Sequence, residues 1–369
     1  MQRLPSPSNS IRIMRVSYFR PSKFCEIVAI LSAFLVCSVV SRADEHRDWK
    51  KYPAIIECAI PTDLYALGDV HGDYERMIEL LTAGKLIADS PANPADAKWT
   101  GGKAILIVTG DFIDKYNHSV EVISFFRTMQ RRAEAACGRV IVALGNHEAE
   151  FLASGGEGKK SAMFRKELEA AGLSAVDVAA GRDANGIGEW LRGLPVAVKV
   201  GDWFFCHAGN AAGRSMAQLE GDVEEGISSH GYAAPILSSA NSILQARMHP
   251  RQFWDATGDV QIKEVDPQTT DLQEKSNESE KRLRAMVEAL GCRHLVIGHQ
   301  PGKITFADGS VREAGKIIAK FGGLFFMIDT GMSRGANSGS GALLKIHLET
   351  DHFTAGAIHT DGKVVPVFP

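Results

Sequence analysis

The stretch Leu64-Tyr65-Ala66-Leu67-Gly68-Asp69-Val70-His71-Gly72 sets a short, largely apolar run directly against a carboxylate and an imidazole framed by glycines. A run of that length bounded by turn residues reads as a buried strand. Glycines at 68 and 72 let the chain turn so that Asp69 and His71, two residues apart, meet one ion. The pattern recurs downstream. Ala104–Val108 leads into Gly110-Asp111-Phe112-Ile113-Asp114, and Val140–Leu144 leads into Gly145-Asn146-His147-Glu148. Between the strands, Asp73–Ala83 and Ser119–Cys137 carry helical stripes, Met77, Ile78, Leu80 and Leu81 in the first and Val120, Ile123, Phe126 and Ala133 in the second. A βαβαβ order implies parallel strands with right-handed crossovers. It also puts the three polar runs at strand carboxyl ends, where open α/β sheets build their sites.

One Gly-Asp pair is ordinary turn punctuation, but three in order, each after an apolar strand, point to a divalent-metal site built from oxygen and imidazole donors. Asp111 has two oxygens with which to bridge a pair of cations, and Asn146 offers an amide oxygen to the second. His207, after the apolar run Trp203–Cys206, and His299, after Leu295-Val296-Ile297-Gly298, extend the donor set. Two cations about 3.5–4 Å apart can clamp a phosphate and generate hydroxide near neutral pH. His147, next to Asn146, then faces the same cleft. With Asp114 to hold its ring it reads as a general acid, the alternative being that it is itself a ligand.

The rest of the chain reads as one large domain over 44–369. Residues 44–62 form a polar lead-in. Ser154–Lys160 is a Gly/Lys loop before helices at Ala162–Ala171 and Asn185–Arg192, so 151–192 is a possible cap over the site. Gly201-Asp202 joins Ala197–Val200 to Trp203–Cys206 as a hairpin. Asp266–Lys281 is expected as an exposed loop entering a helix at Lys281–Leu290. Strands are expected at His294–Ile297, Leu324–Asp329 and Ala342–Leu348.

At 45% hydrophobic and 23% charged, the 369 residues have globular composition. The N-terminus differs. Arg3, Arg12, Arg15, Arg20 and Lys23 precede the 14-residue apolar run Ile27 to Val40 and then Ser41-Arg42-Ala43, the order of a secretory signal peptide and short for a membrane span. Cleavage after Ala43 predicts a secreted or periplasmic protein with no stable membrane span, and Met14 is an alternative start. An uncleaved leader would instead be an anchor. Removing the leader's six Lys/Arg and one Glu leaves 35 basic against 43 acidic residues, a net charge of −8. That acidic body without a basic block argues against a nucleic-acid partner. Cys58, Cys137, Cys206 and Cys292 remain, with no zinc-cluster spacing and no expected pairing.

With these residues in place, the chain resembles the calcineurin-like metallophosphoesterases, specifically the phosphoprotein phosphatase (PPP) group. That group carries GDxHG, GDxxDR, GNHE, HGG or HAG, and GH. Here these stand as Gly68–Gly72, Gly110–Lys115, Gly145–Glu148, His207–Gly209 and Gly298-His299. The resemblance implies an α/β fold, the four-layer αββα sandwich of metallo-dependent phosphatases. It implies one ion on Asp69, His71 and Asp111 and another on Asp111, Asn146, His207 and His299, the ions being Mn, Fe or Zn. It makes His147 the general acid and Asp114 its orienting partner. Gly298-His299 continues as Gln300-Pro301, without the second histidine of the purple acid phosphatases. Ile328–Ser333 and Gly341–Ile346 look like the bacterial, Shewanella-like phosphatases. Lys115 stands where the group has a phosphate-binding arginine; it keeps the charge but lacks bidentate geometry. Arg247 is the first candidate for the group's second arginine, ahead of Arg251 and Arg214. The implied activity is hydrolysis of phosphomonoesters, on phosphoprotein or small esters, by a metal-bound hydroxide. The alternatives are a dinucleoside polyphosphate or phosphodiester hydrolase, the former suggested by His207-Ala208-Gly209, and a non-catalytic metal- or phosphate-binding protein. Oligomeric state is not readable.

Overall fold

The computed structural model describes residues 47–91, 93–247, 272–306, 308–336, 339–350 and 352–369, which belong to one compact unit, Asp44–Pro369. The leader reading of 1–43, with Met14 and the cleavage point, and the alternative Arg251 fall outside the described residues. Among the described residues no helix is long and apolar enough to cross a membrane.

Strands β2 (Asp63–Leu67), β3 (Ile105–Val108) and β4 (Arg139–Val142) lie side by side and parallel, Leu64 opposite Ile105 and Ile105 opposite Arg139. Beyond β2, strands β12 (Leu343–Leu348), β13 (Phe353–Ile358) and β14 (Val364–Phe368) extend this sheet in antiparallel fashion to six strands. A second six-stranded sheet runs, in spatial order, β1 (Ile55–Cys58), β5 (Ala197–Val200), β6 (Trp203–Cys206), β7 (His294–Ile297), β11 (Phe325–Met327) and β10 (Ile318–Lys320). Within it β6, β7 and β11 are parallel, and β5–β6 is the antiparallel hairpin with Ala197 opposite Cys206. A two-stranded ribbon, β8 (Ile304–Thr305) with β9 (Val311–Arg312), stands apart from both sheets.

Strand periodicity builds the layers, because successive side chains point to opposite faces. Leu64, Ala66, Ile105 and Ile107 of the first sheet share one buried cluster with Trp203, Phe205, Val296 and Phe326 of the second. Their alternates, Leu67, Leu106, Val108, Phe204, Leu295 and Ile297, join a different cluster together with helix side chains. The first sheet is covered by α1 (Tyr74–Ala83) and α2 (Ser119–Ala135), which bury Met77, Ile78, Leu80 and Leu81, and Val122, Ile123, Phe125, Phe126 and Met129. Asp73 caps α1 by accepting from the Arg76 N–H at 3.4 Å. Then come α3 (Asn146–Ser154), α4 (Ala162–Ala170), α5 (Ala175–Ala179), α6 (Ile187–Arg192), α7 (Met216–His230), α8 (Pro235–Ser238) and α9 (Leu272–Ala289). The result is the helix–sheet–sheet–helix sandwich.

Several local expectations need correction. The lead-in 44–62 contains β1, which pairs in parallel with β5; four residues at a sheet edge are too few to show a period. The stretch before Lys281 is helical from Leu272, not a loop. The sequence there shows no apolar stripe, and the middle of the helix carries i,i+4 pairs, Glu278–Arg282 at 2.8 Å and Glu280–Arg284 at 2.7 Å. Leu324–Asp329 shortens to β11, and β13 and β14 follow the last strand expected.

Candidate metal centre

Every polar run emerges where expected, at the carboxyl ends of parallel strands. Asp69 and His71 follow β2, Asp111 follows β3, and Asn146 follows β4 as the first residue of α3. His207 follows β6 and His299 follows β7. The turns are tight. His71, Asp111, Asp114, Lys115 and His299 all have φ between +44° and +68°, a region that is costly for residues with a side chain and that concentrates at functional sites. Gly298 is forced: a Cβ there would sit 2.5 Å from Asp69 Oδ1 and 2.8 Å from Thr109 Oγ1.

The donor atoms converge. His71 Nε2 lies 3.8 Å from Asp69 Oδ2 and 3.7 Å from Asp111 Oδ2. His207 Nε2 lies 3.0 Å from Asn146 Oδ1, 3.0 Å from His299 Nδ1 and 3.4 Å from Asp111 Oδ1. The backbone sets the tautomers: His71 Nδ1 pairs with the Ile113 carbonyl at 3.2 Å and His207 Nδ1 with that of Thr109 at 3.0 Å. Each Nε2 lone pair therefore faces the cluster, the arrangement of a metal-ligating histidine held by a carbonyl. Burial drives the His71 ring down to about 3, and burial followed by His207 drives His299 down to about 2, so both rings are uncharged at neutral pH and each keeps one nitrogen lone pair to act as a ligand. Acceptors packed this closely call for a cation. The six residues fit two, one at Asp69, His71 and Asp111, one at Asp111, Asn146, His207 and His299. Reversing the Asn146 amide would satisfy the second group with N–H donors instead, at 3.0–3.2 Å; the inward oxygen is the orientation that can ligate.

His147 sits at the edge of this group, its Nε2 3.9 Å from Asp111 Oδ2. Its Nδ1 is 3.0 Å from the Lys160 carbonyl and 3.5 Å from Asp114 Oδ2. Burial works against its charge, but Asp111 and then Asp114 outweigh it and raise its pKa. Asp114 in turn is lowered: burial opposes its charge, and His147 together with the backbone N–H groups of Phe164 and Met163 overcome that. His147, Asp111 and His71 also lie close enough to share an ion, the arrangement in which His147 would itself be a ligand.

Lys115 and Arg247 are placed differently. Lys115 Nζ lies 2.7 Å from His71 Nε2. Arg247 is exposed and lines an open cleft of about 800 Å³ with Asn146, Lys160 and Gln245, and its charge reaches His299. Arg214 is ion-paired with Asp222 at 2.6 Å and lines a different pocket.

Four residues have roles that sequence reasoning did not assign. Glu148, fully buried, accepts from four backbone N–H groups, Asp111 and Gly145 at 2.8 Å, Phe112 at 2.9 Å and Ile113 at 3.1 Å. It thereby pins the left-handed turn that carries Asp111, while burial and Asp111 push its own carboxyl up to about 7. Asp329, after β11, faces Asp69; burial, then Asp329 and Asp111, hold the Asp69 carboxyl well above the usual range. Arg312 has a fully buried guanidinium that donates to the carbonyls of Lys316 at 2.8 Å, Gly302 at 3.2 Å, Gln300 and Asp329. Lys160 approaches the site from the segment between α3 and α4. Glu148 and Asp329 stood inside noted runs; Arg312 and Lys160 belong to no motif.

Comparison with known proteins agrees with this geometry. The family described as calcineurin-like phosphoesterase matches residues 63–302, and the chain belongs to it. Shewanella-like protein phosphatase 2 of Arabidopsis thaliana is 34% identical over 109 residues, 30% of this chain and 25% of that protein. Shewanella-like protein phosphatase 1 of Plasmodium berghei is 30% identical over 149 residues, 40% of this chain and 38% of that protein. The chain thus spans well under half the length of these relatives. The cold-active protein-tyrosine phosphatase of a psychrophilic Shewanella species shares the fold, with a TM-score of 0.56 at 19% identity over 89% of this chain and 84% of that one.

Proposed function

We propose, from membership of the calcineurin-like phosphoesterases, that this protein is a dinuclear-metal phosphatase acting on phosphomonoesters. The observation that carries the reading is the convergence of Asp69, His71, Asp111, Asn146, His207 and His299 into two adjoining groups that share Asp111, with a charged-form-stabilised His147 at their edge. Two cations held there, Mn, Fe or Zn, would screen the phosphoryl oxygens and lower the pKa of water. The chain's own residues supply the rest. Asp111 stands between the two ligand groups and fixes their separation. Asn146 and the cationic side chains at the cleft orient the phosphoryl group. His147, whose charged form Asp111 and Asp114 favour, gives its proton to the leaving oxygen, a contribution of about 10²–10⁴ in rate for a well-placed acid. Asp114 and the Lys160 carbonyl hold the ring for that transfer.

The substrate is a phosphoprotein or a small phosphate ester. The signal-peptide reading of 1–43 places the enzyme outside the cytoplasm, which favours small esters. The test compares p-nitrophenyl phosphate, bis-p-nitrophenyl phosphate, diadenosine tetraphosphate and phosphopeptides on purified protein, with metals measured on the same sample. Monoester turnover that scales with bound metal supports the reading, and dominant diester or dinucleotide turnover overturns it.

A further inference from the structure

Lys160 ends the loop that crosses from α3 to α4. Its backbone carbonyl faces His147 Nδ1 at 3.0 Å, which fixes where its side chain begins. Its Nζ lies 3.3 Å from the outer end of the Asn146 amide; with the amide oxygen turned inward that end is the NH2, so two donors face the cleft side by side. Three and four residues on, Met163 and Phe164 donate to Asp114 Oδ1 at 2.7 and 3.2 Å, so the segment is tied to the His147–Asp114 pair at both ends. Lys160 and Arg247 line the same cleft beside Asn146. Lys115, by contrast, directs its ammonium to His71. Among the described residues Lys160 pairs with Glu150 at 2.8 Å, both side chains more than a third exposed; such a pair is held weakly and exchanges readily for a stronger anion.

We propose that Lys160 contacts the substrate phosphoryl group and, with Arg247, supplies the positive charge at the cleft, with Glu150 as the counter-ion that a phosphate displaces. The proposal rests on the phosphatase reading. A phosphoryl oxygen lodged next to Asn146 falls within reach of the Lys160 ammonium without movement of the backbone. As a point charge with rotatable donors, lysine suits this position, where no planar carboxylate-like face needs a bidentate fork.

The experiment measures inorganic phosphate binding by calorimetry, its Ki against p-nitrophenyl phosphate, and bound metal, for the full chain and for Lys160→Met, Lys160→Arg and Glu150→Gln. A charge-assisted hydrogen bond lost from a partly buried site predicts roughly a tenfold or greater weakening of phosphate in Lys160→Met, with bound metal unchanged. Lys160→Arg should recover most of it. Glu150→Gln should tighten phosphate severalfold, a change of opposite sign that a purely structural lysine would not produce. Phosphate affinity within twofold of the parent in both Lys160→Met and Glu150→Gln overturns the proposal while leaving the phosphatase reading intact. Should Lys160→Met fail to fold, unchanged affinity in Glu150→Gln alone overturns it. A parent protein that neither binds phosphate nor turns over any monoester overturns the phosphatase reading and this proposal with it.

Discussion

Replacing Arg312 by methionine removes a guanidinium that no solvent touches and leaves the carbonyls of Gln300, Gly302, Lys316 and Asp329 without their donor. A hydrogen bond from a charged donor contributes about 1.5–3 kcal/mol, and a buried group left unpaired costs about 1–3 kcal/mol. Four such bonds do not add, because the loop relaxes as a unit and because burial already disfavours the guanidinium charge, lowering its pKa. A net loss of about 2–4 kcal/mol is the expected range, the lower part of what breaking a buried charged contact costs. At roughly 2–4 °C per kcal/mol for a large domain, the melting temperature falls by about 5–10 °C. Two of the released carbonyls flank the site, since Gln300 follows His299 and Asp329 faces Asp69. Metal affinity should therefore drop by about 10–100-fold, as for other residues that orient ligands. Thermal melts with added Mn²⁺ and with chelator, paired with metal titration, read both effects. Arg312→Lys, able to reach one or two carbonyls, should recover part of each. A melting temperature within about 1 °C of the parent together with unchanged metal affinity would refute the reasoning.

Three other substitutions probe the site. Glu148→Ala leaves four buried N–H groups without an acceptor; the turn bearing Asp111 should loosen, and bound metal and melting temperature should fall together in one preparation. Asp114→Asn removes a charge that raises the His147 pKa, so the imidazole should lose its proton at lower pH; the alkaline limb of the kcat profile should move down while the acid limb stays, and an unmoved alkaline limb would take His147 out of the acid role. Gly298→Ala drives a methyl group against Asp69 Oδ1 and Thr109 Oγ1 and should cost about 1–3 kcal/mol by overpacking, with metal lost from Asp69's side first, checked by urea melts and metal analysis.

Much of this site was legible because each ligand-type residue directly follows an apolar run, so that strand, turn and donor are read together in one window. Asp69, Asp111 and Asn146 share that context, as do His207 and His299. Lys160 and Arg312 have no such context; what each touches depends on which loops the sandwich brings together, and nothing near them in sequence encodes it. Glu148 was visible as a letter of a motif, but its task depends on four N–H groups, three of them some 35–37 residues upstream. In the fold, the buried strands were readable from hydrophobic runs. β13, Phe-Thr-Ala-Gly-Ala-Ile, is diluted by small and polar residues, and β14, an apolar run broken by Pro366 with Val364 and Val365 exposed, forms the open sheet edge.

The six ligand-type residues come from both sheets, Asp69, His71, Asp111 and Asn146 from one and His207 and His299 from the other. During synthesis the carboxylates and His71 emerge as a half-site well before the two later histidines exist. A cation bound by Asn146 and His299 would close a loop of roughly 150 residues, a crosslink of the length for which chain-entropy arguments give the largest stabilisation. Cys58, Cys137, Cys206 and Cys292 are all free thiols, so that tie would be a reversible cross-link in a chain that has no disulfide among its described residues. Removing such a cation would act on this protein as reduction acts on a disulfide-bonded one, lowering its stability while the apolar layer shared by the two sheets stays packed.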